Sequence, residues 1–265
     1  MPETVSRGSS TGTFATAART AVTGAPACGT VAPSATARPH RFRGRIGVGL
    51  AGGFYPAPHR YQLYLSEGCQ RSLRVSITLA LLGLEGSTAT TVLTCPAETP
   101  DAFASLRRAY EATWHHYDGP LTAPALCDRW SGRVVSNHTP DILRDLADLA
   151  DLADLRDDEG PGLPALRPPD LAAEIDALRE LLTRDVTPDS PPPARAATLT
   201  LLDHQLASSP HVLGEAITAA DVDLWVALTR LGPADDALSA YLHLDRYVRR
   251  LGRHPAFLAG VRMCA

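Results

Sequence analysis

The sequence predicts an α/β unit followed by an all-α unit, and three observations carry that reading. A short alternating strand at 61–66 passes through a Ser-Glu-Gly break into a helix-periodic run that opens on Cys69. Strand and helix patterns then alternate as far as residue 155. Beyond a Pro/Gly-rich break at 160–169, every segment reads as helix.

In the first unit Tyr61, Leu63 and Leu65 alternate with Gln62, Tyr64 and Ser66, the two-residue period of a strand. Leu73, Ile77, Leu81 and Leu84 then recur at helical spacing, with Gly83 closing the helix. Residues 88–94 are β-branched and strand-like, and 102–115 reads as a helix. Residues 123–128 and 133–136 form a hairpin about Arg129-Trp130-Ser131-Gly132, and a helix covers 140–155. The order β-α-β-α-β-β-α is the thioredoxin-like arrangement, a mixed sheet with helices on both faces. In the second unit helices are expected at 171–184, 194–208, 219–231 and 238–251, with a proline-rich loop at 188–193. The expected organisation is a disordered tail at 1–40, a thioredoxin-like domain at 41–157 and a helical domain at 158–265. Residues 42–59, anchored by Phe42, Ile46, Val48, Phe54 and Tyr55, read as a packed extended arm.

Composition narrows the function. A chain of 265 residues can bury real cores, and a net charge of −4 gives no electrostatic case for nucleic acid or an anionic membrane. All 25 basic residues are arginine, which with abundant Ala, Pro and Gly is the mark of GC-rich coding. The five cysteines are odd in number and lack a Cys-x-x-Cys pair, against a secreted disulfide framework and against zinc. No run has the length to span a bilayer, and no signal-type segment opens the chain. A soluble cytoplasmic protein without a metal is the expectation.

Cys69 is the one credible nucleophile. At a helix N-terminus, unpaired N–H groups and the positive dipole end favour a thiolate, and Arg71 and Arg74 add positive charge within a turn. The competing reading is a buried, inert cysteine that happens to open a helix. Thr122-Ala123-Pro124 precedes the hairpin, where this arrangement places a cis-proline facing the helix-opening cysteine. Thr139 reads as an N-cap with Pro140 at the first helical position, and as a ligand contact second. The Asp-Leu-Ala run at 145–155 drifts around a helix without converging on a point, so it reads as a solvated acidic face over a leucine stripe. Thr218 to Asp221 is a capping box with Ile217 and Val222 as staple, which makes Asp221 structural.

Together these residues resemble the glutathione transferase superfamily, and within it the glutathionyl-hydroquinone reductases, close to the omega class. Those proteins carry Arg-Tyr-His-Leu-Tyr-Val-Ser and then Cys-Pro-Trp-Ala-His-Arg, on which Arg60 to Ser66 and Cys69 to Arg74 fall. Their Thr-Val-Pro-Val-Leu matches Thr122 to Leu126, and their Asn-Glu-Ser matches Asn137-His138-Thr139. Their Thr-Glu-Ala-Asp matches Thr218 to Asp221, and the likeness runs from about Phe42 to Phe257. The resemblance implies a helical glutathione-transferase C-terminal domain and a homodimer. It also implies a catalytic Cys69, with a low-molecular-weight thiol held by Arg71, Ala123, Pro124, His138 and Thr139.

The departures fall on the chemistry. Gln70, Arg71 and Leu73 replace the family's proline, tryptophan and histidine, and its Asn-Gly-Val-Tyr-Lys segment has no counterpart between Arg184 and Arg195. His138 replaces the glutamate that grips the γ-glutamyl ammonium, a loss of about 1–3 kcal/mol for an unpaired charge. A GC-rich host of actinobacterial type would offer mycothiol, a sugar-linked cysteine without that ammonium, so the expected cofactor is a low-molecular-weight thiol, mycothiol or glutathione, with mycothiol the better match to His138. The expected reaction is thiol-dependent reduction of, or addition to, a small-molecule electrophile such as a quinone, enone or epoxide of secondary metabolism. The alternative is a transferase fold kept as a cofactor-free enzyme or non-catalytic binding module.

Overall fold

The structure is a computed structural model that describes residues 41–47, 53–150, 163–231 and 238–264. In chain order it contains β1 (Tyr61–Ser66), α1 (Gln70–Leu81), β2 (Ala89–Leu93), α2 (Pro100–Thr113), β3 (Ala125–Asp128), β4 (Arg133–Ser136) and α3 (Thr139–Ala150). A 3-10 turn (Pro169–Leu171) then leads into α4 (Ala172–Asp185), α5 (Pro192–Leu206), α6 (Ala219–Thr229), α7 (Leu242–Leu251) and α8 (Pro255–Cys264). The tail expected at 1–40, the end of the 140–155 helix and the domain boundary near 157 lie outside the described residues.

The sheet has the order β2-β1-β3-β4, with β1 parallel to β2 and antiparallel to β3, and β3 antiparallel to β4. The central strand β1 is buried on both faces, and its alternation sorts its side chains. Tyr61, Leu63 and Leu65 join Val75 and Ile77 of α1 and Ile142 and Leu146 of α3 in one core. Tyr64 points the other way, into a second core with Leu93 and with Phe103, Leu106 and Tyr110 of α2. This is the expected sheet with helices on both faces. β3 begins at Ala125, two residues later than the sequence suggested, because Pro124 has no N–H to donate to a ladder. Helix α1 ends as expected, with Gly83 at φ +62° and Leu84 donating back to Leu79 at 3.1 Å.

The extended arm is tied down by charge. Arg43 forms a two-pronged pair with Asp141 at 2.8 and 3.1 Å, while Arg45 pairs with Asp145 and, at 3.3 Å, with Asp148. The Ile46 N–H also donates to Asp145 at 3.2 Å, and Phe42 packs edge-on to Tyr110 at 5.4 Å. The expectation of a solvated acidic face over 145–155 therefore fails at its first member, Asp145. Asp141 and Asp145 are buried because they sit one helical turn apart under two arginines of the arm, whereas Asp148 stays exposed.

In the helical half, Asp221 is fully buried and accepts from the Thr218 N–H at 2.8 Å, the Val212 N–H at 3.0 Å and the Tyr247 hydroxyl at 2.8 Å. The expected capping box is present. Helix α8 was not expected from the sequence. It packs on α1 so closely that a Cβ on Gly260 would lie 2.5 Å from Cγ1 of Ile77. Trp225 of α6 meets Phe257 of α8 edge-on at 5.1 Å, and one continuous core runs through both halves.

Two outcomes follow from this packing. Gly260→Val should destabilise the protein by about 1–3 kcal/mol, read in a urea titration, because no room exists between α8 and α1. Burial pushes the Asp221 carboxyl up, but the donors from His211, Thr218, Val212 and Tyr247 outweigh it and hold the pKa below the ordinary 3.8. The folded state thus binds this proton more weakly than the unfolded state. Its stabilisation is present above pH 3.8 and lost as pH falls through the folded value. Asp221→Asn should cost about 3 kcal/mol at neutral pH and flatten the acid limb of the melting-temperature profile.

Candidate functional site

Cys69 is the N-cap of α1, with φ −92° and ψ 115°. Local bonds fix it: its N–H donates to the Ser66 carbonyl at 3.2 Å, and its own carbonyl accepts from the Leu73 N–H at 2.8 Å. The Ser66 N–H donates to the Ser72 hydroxyl at 2.9 Å, so the strand end is locked to the first helical turn. Across from it the Ala123-Pro124 bond is cis, and the Ala123 carbonyl oxygen lies 3.9 Å from Sγ of Cys69. The cysteine is 1 % exposed and is disulfide-bonded in this structure. Cys95 and Cys127 are free cysteines, and burial pushes the Cys127 thiol up to about 12, which makes it inert.

A second set of bonds holds the loop that carries Ala123. The Tyr110 hydroxyl meets the Thr122 hydroxyl at 2.8 Å and donates to the Thr122 carbonyl at 3.0 Å. Asn137 donates to the hydroxyls of Thr122 at 3.1 Å and Tyr110 at 3.2 Å, and accepts from the Phe42 N–H at 2.9 Å. The arm, α2, the cis-proline loop and the start of α3 therefore meet at one polar knot.

A cavity of about 310 Å³ lies between the two halves. Of the residues singled out in the sequence, Arg71, His138 and Thr139 line it, together with Thr122, Asn137, Leu143 and Thr183. Cys69, Ala123 and Pro124 are buried together and none of the three is part of that wall. Thr139 does not cap α3. The helix starts on it, the His138 carbonyl accepts the first bonds from Asp141 and Ile142, and the buried Thr139 hydroxyl has no hydrogen-bond partner among the described residues. His138 places Nδ1 3.0 Å from Asp141, a carboxylate that Arg43 already holds below its ordinary pKa.

The remaining wall is arginine. Arg41, Arg71, Arg74 and Arg179 all line the cavity, and Asp223 is the one carboxylate among the lining residues. Asp223 is 2 % exposed and bridges Arg74 at 3.0 Å and Arg179 at 2.8 Å. Arg179 continues to Asp176 at 3.2 Å, which Arg167 also holds at 2.6 Å. Sequence reading did not single out Arg179, Asp223 or Arg41, since they are 44 or more positions from one another in the chain and carry no spacing signal. Among the described residues no three of His, Cys, Asp and Glu gather as a metal set, and no helix is long and apolar enough to cross a membrane.

Comparison with known proteins fits this geometry. No family model matches the chain. Glutathionyl-hydroquinone reductase PcpF of Sphingobium chlorophenolicum is 28 % identical over 237 residues, covering 78 % of this chain and 72 % of that protein. Glutathionyl-hydroquinone reductase YqjG of Escherichia coli is 25 % identical over 242 residues, covering 77 % and 72 %. The glutathione-bound structure of YqjG superposes with a TM-score of 0.68 over 84 % of this chain and 85 % of that one, at 25 % identity. The Xi-class transferase of Phanerochaete chrysosporium shares the fold at a TM-score of 0.63 and 24 % identity, over 86 % and 89 %. The chain resembles the glutathione transferase superfamily in sequence and fold. Within it, the chain resembles the glutathionyl-hydroquinone reductases.

Tyr110→Phe removes the hydroxyl that holds Thr122 while leaving the ring packing. It should cost about 1–2 kcal/mol in thermal or chemical denaturation, and Asn137→Ala in the same background should add less than it does alone.

Proposed function

We propose that this chain is a cysteine-type, thiol-dependent reductase or transferase acting on a quinone-like or other electrophilic small molecule. The observation that carries this is Sγ of Cys69 at the start of α1, 3.9 Å from the carbonyl that precedes a cis-proline. Cys69 acts once its disulfide has been opened by excess thiol. Its thiolate then attacks the sulfur of a thiol–aromatic conjugate, the carbon–sulfur bond breaks, and the aromatic carbon takes a proton and leaves as the reduced hydroquinone. A second thiol attacks the resulting mixed disulfide, regenerating Cys69 and releasing the oxidised thiol dimer. Arg71, His138, Thr139 and the backbone at Ala123 and Pro124 hold the thiol, with the unpartnered Thr139 hydroxyl and the first turn of α3 offered to it.

Glutathione is the thiol bound by the solved YqjG relative. One observation favours mycothiol here. A γ-glutamyl ammonium needs a carboxylate, yet Asp223 is committed to two arginines and Asp141 to Arg43. A sugar thiol makes no such demand. We further read the protein as a cytoplasmic homodimer that serves secondary metabolism.

Cys69→Ser tests the mechanism. A serine hydroxyl stays protonated at neutral pH, so the variant should lose essentially all reductase turnover while its melting temperature, compared with the reduced wild type, barely moves. Retained or increased conjugating activity would instead mark a role in stabilising a bound thiolate. Unchanged rates on every substrate would remove Cys69 from the mechanism and leave a binding module. In parallel, mycothiol should raise the melting temperature more than glutathione at equal concentration, and the reverse order would assign glutathione.

A further inference from the structure

Cys69 is disulfide-bonded, and the reaction above begins only when that bond is open. Of the five cysteines in the chain, Cys95 and Cys127 are free, which leaves Cys28 and Cys264 to close it. The packing of α8 on α1 singles out Cys264. A Cβ on Gly260 would lie 2.5 Å from Ile77 and 3.3 Å from Leu73, so the two helices approach there more closely than ordinary side chains allow. Cys69 stands four residues before Leu73, and Cys264, the last residue of α8, stands four after Gly260. Each is therefore roughly 6 Å, about one turn, along its helix from the same contact. With α8 antiparallel to α1 the two turns run the same way and end level. A disulfide needs Cα atoms within about 4.4–6.8 Å of each other, a spacing that only such a close approach of helices permits.

We propose that Cys264 is the resolving thiol of the Cys69 cycle, carried on α8 and closing on Cys69 as an internal disulfide. This deepens the thiol-dependent reading above and rests on it for turnover. Once Cys69 has taken the thiol from the conjugate, the Cys264 thiolate attacks Sγ of Cys69. The bond to the external thiol breaks, and that thiol leaves with the proton Cys264 gave up. Two further thiols reopen the internal disulfide and depart as their oxidised dimer, so the overall stoichiometry is unchanged. Between turnovers the closed form keeps Cys69 at 1 % exposure and off the path to sulfinic acid.

Peptide mapping without reductant, on the full chain purified in air, should recover the Cys69 peptide linked to the Cys264 peptide. A second measurement gives the fully reduced protein glutathione disulfide. Wild type should release about two glutathione thiols for each Cys69 that reacts and keep none on the Cys69 peptide, whereas Cys264→Ser should release about one and stay glutathionylated at Cys69. Cys28→Ser should behave as wild type. A link from Cys69 to Cys28, no link to Cys69 at all, or a Cys264→Ser protein that sheds its glutathione as wild type does overturns the proposal. The mapping does not depend on turnover: if the link is found while Cys69→Ser keeps its reductase activity, the internal disulfide stands and the reductive reading fails.

Discussion

Across the continuous core that joins the two halves of the molecule, one buried carboxylate, Asp223, ties them by charge. A carboxylate at 2 % exposure persists as an ion only if cations meet it, and Asp223 draws one from each side of the seam. Arg74 comes from α1, the helix that opens on Cys69, and Arg179 comes from α4. Two residues earlier on the same helix, Asp221 turns the other way and gathers donors from within the helical half. Helix α6 thus carries two acids with opposite tasks, one knitting its own half and one reaching across to the other. The cavity is the space left between these partners, which is why its wall mixes residues of α1, α3, α4 and α6.

What could be read from the sequence was whatever local chemistry dictates. Alternation placed β1, helical spacing placed α1, and a Thr-x-x-Asp pattern placed the start of α6. Cys69, Ala123 and Pro124 could be brought together because the topology puts the end of one strand opposite the start of another. The residues that escaped notice depend on distance in the chain. Asp223, Arg179 and Arg41 become one site only after three helices and an arm are packed. Helix α8 escaped because Gly260 within it argues locally for a break, whereas the close approach to Ile77 is what requires a glycine there.

The acidic run shows how the same residues change meaning once a partner segment is known. Every third position Asp, read alone, is a charged solvent face. With Arg45 over it and Arg43 over Asp141 one turn earlier, its start becomes a docking strip for the arm, while Asp148 at the edge stays exposed although Arg45 also reaches it. The same arm delivers Phe42 to Tyr110 and its N–H to Asn137, next to the cis-proline loop. Charge on one face of α3 and hydrogen bonding at its N-terminus therefore act together on the position of Ala123.

The departures from the reductase pattern can now be divided by what each side chain touches. The frame that sets the sulfur, Ser66 to Ser72 on one side and Tyr110 to Thr122 on the other, is complete. Leu73, in the place of the family's histidine, is spent on packing: its side chain lies against α8, where a Cβ on Gly260 would come within 3.3 Å of it. Arg71, in the place of the tryptophan, lines the cavity, and so does His138 in the place of the glutamate. Leu73 therefore rewrites a helix contact, while Arg71 and His138 exchange an aromatic and an acid for a cation and an imidazole at the cavity wall. The setting of Cys69 is kept and the cavity wall is changed, which is the pattern the proposed reading requires, with the chemistry retained and the ligand new.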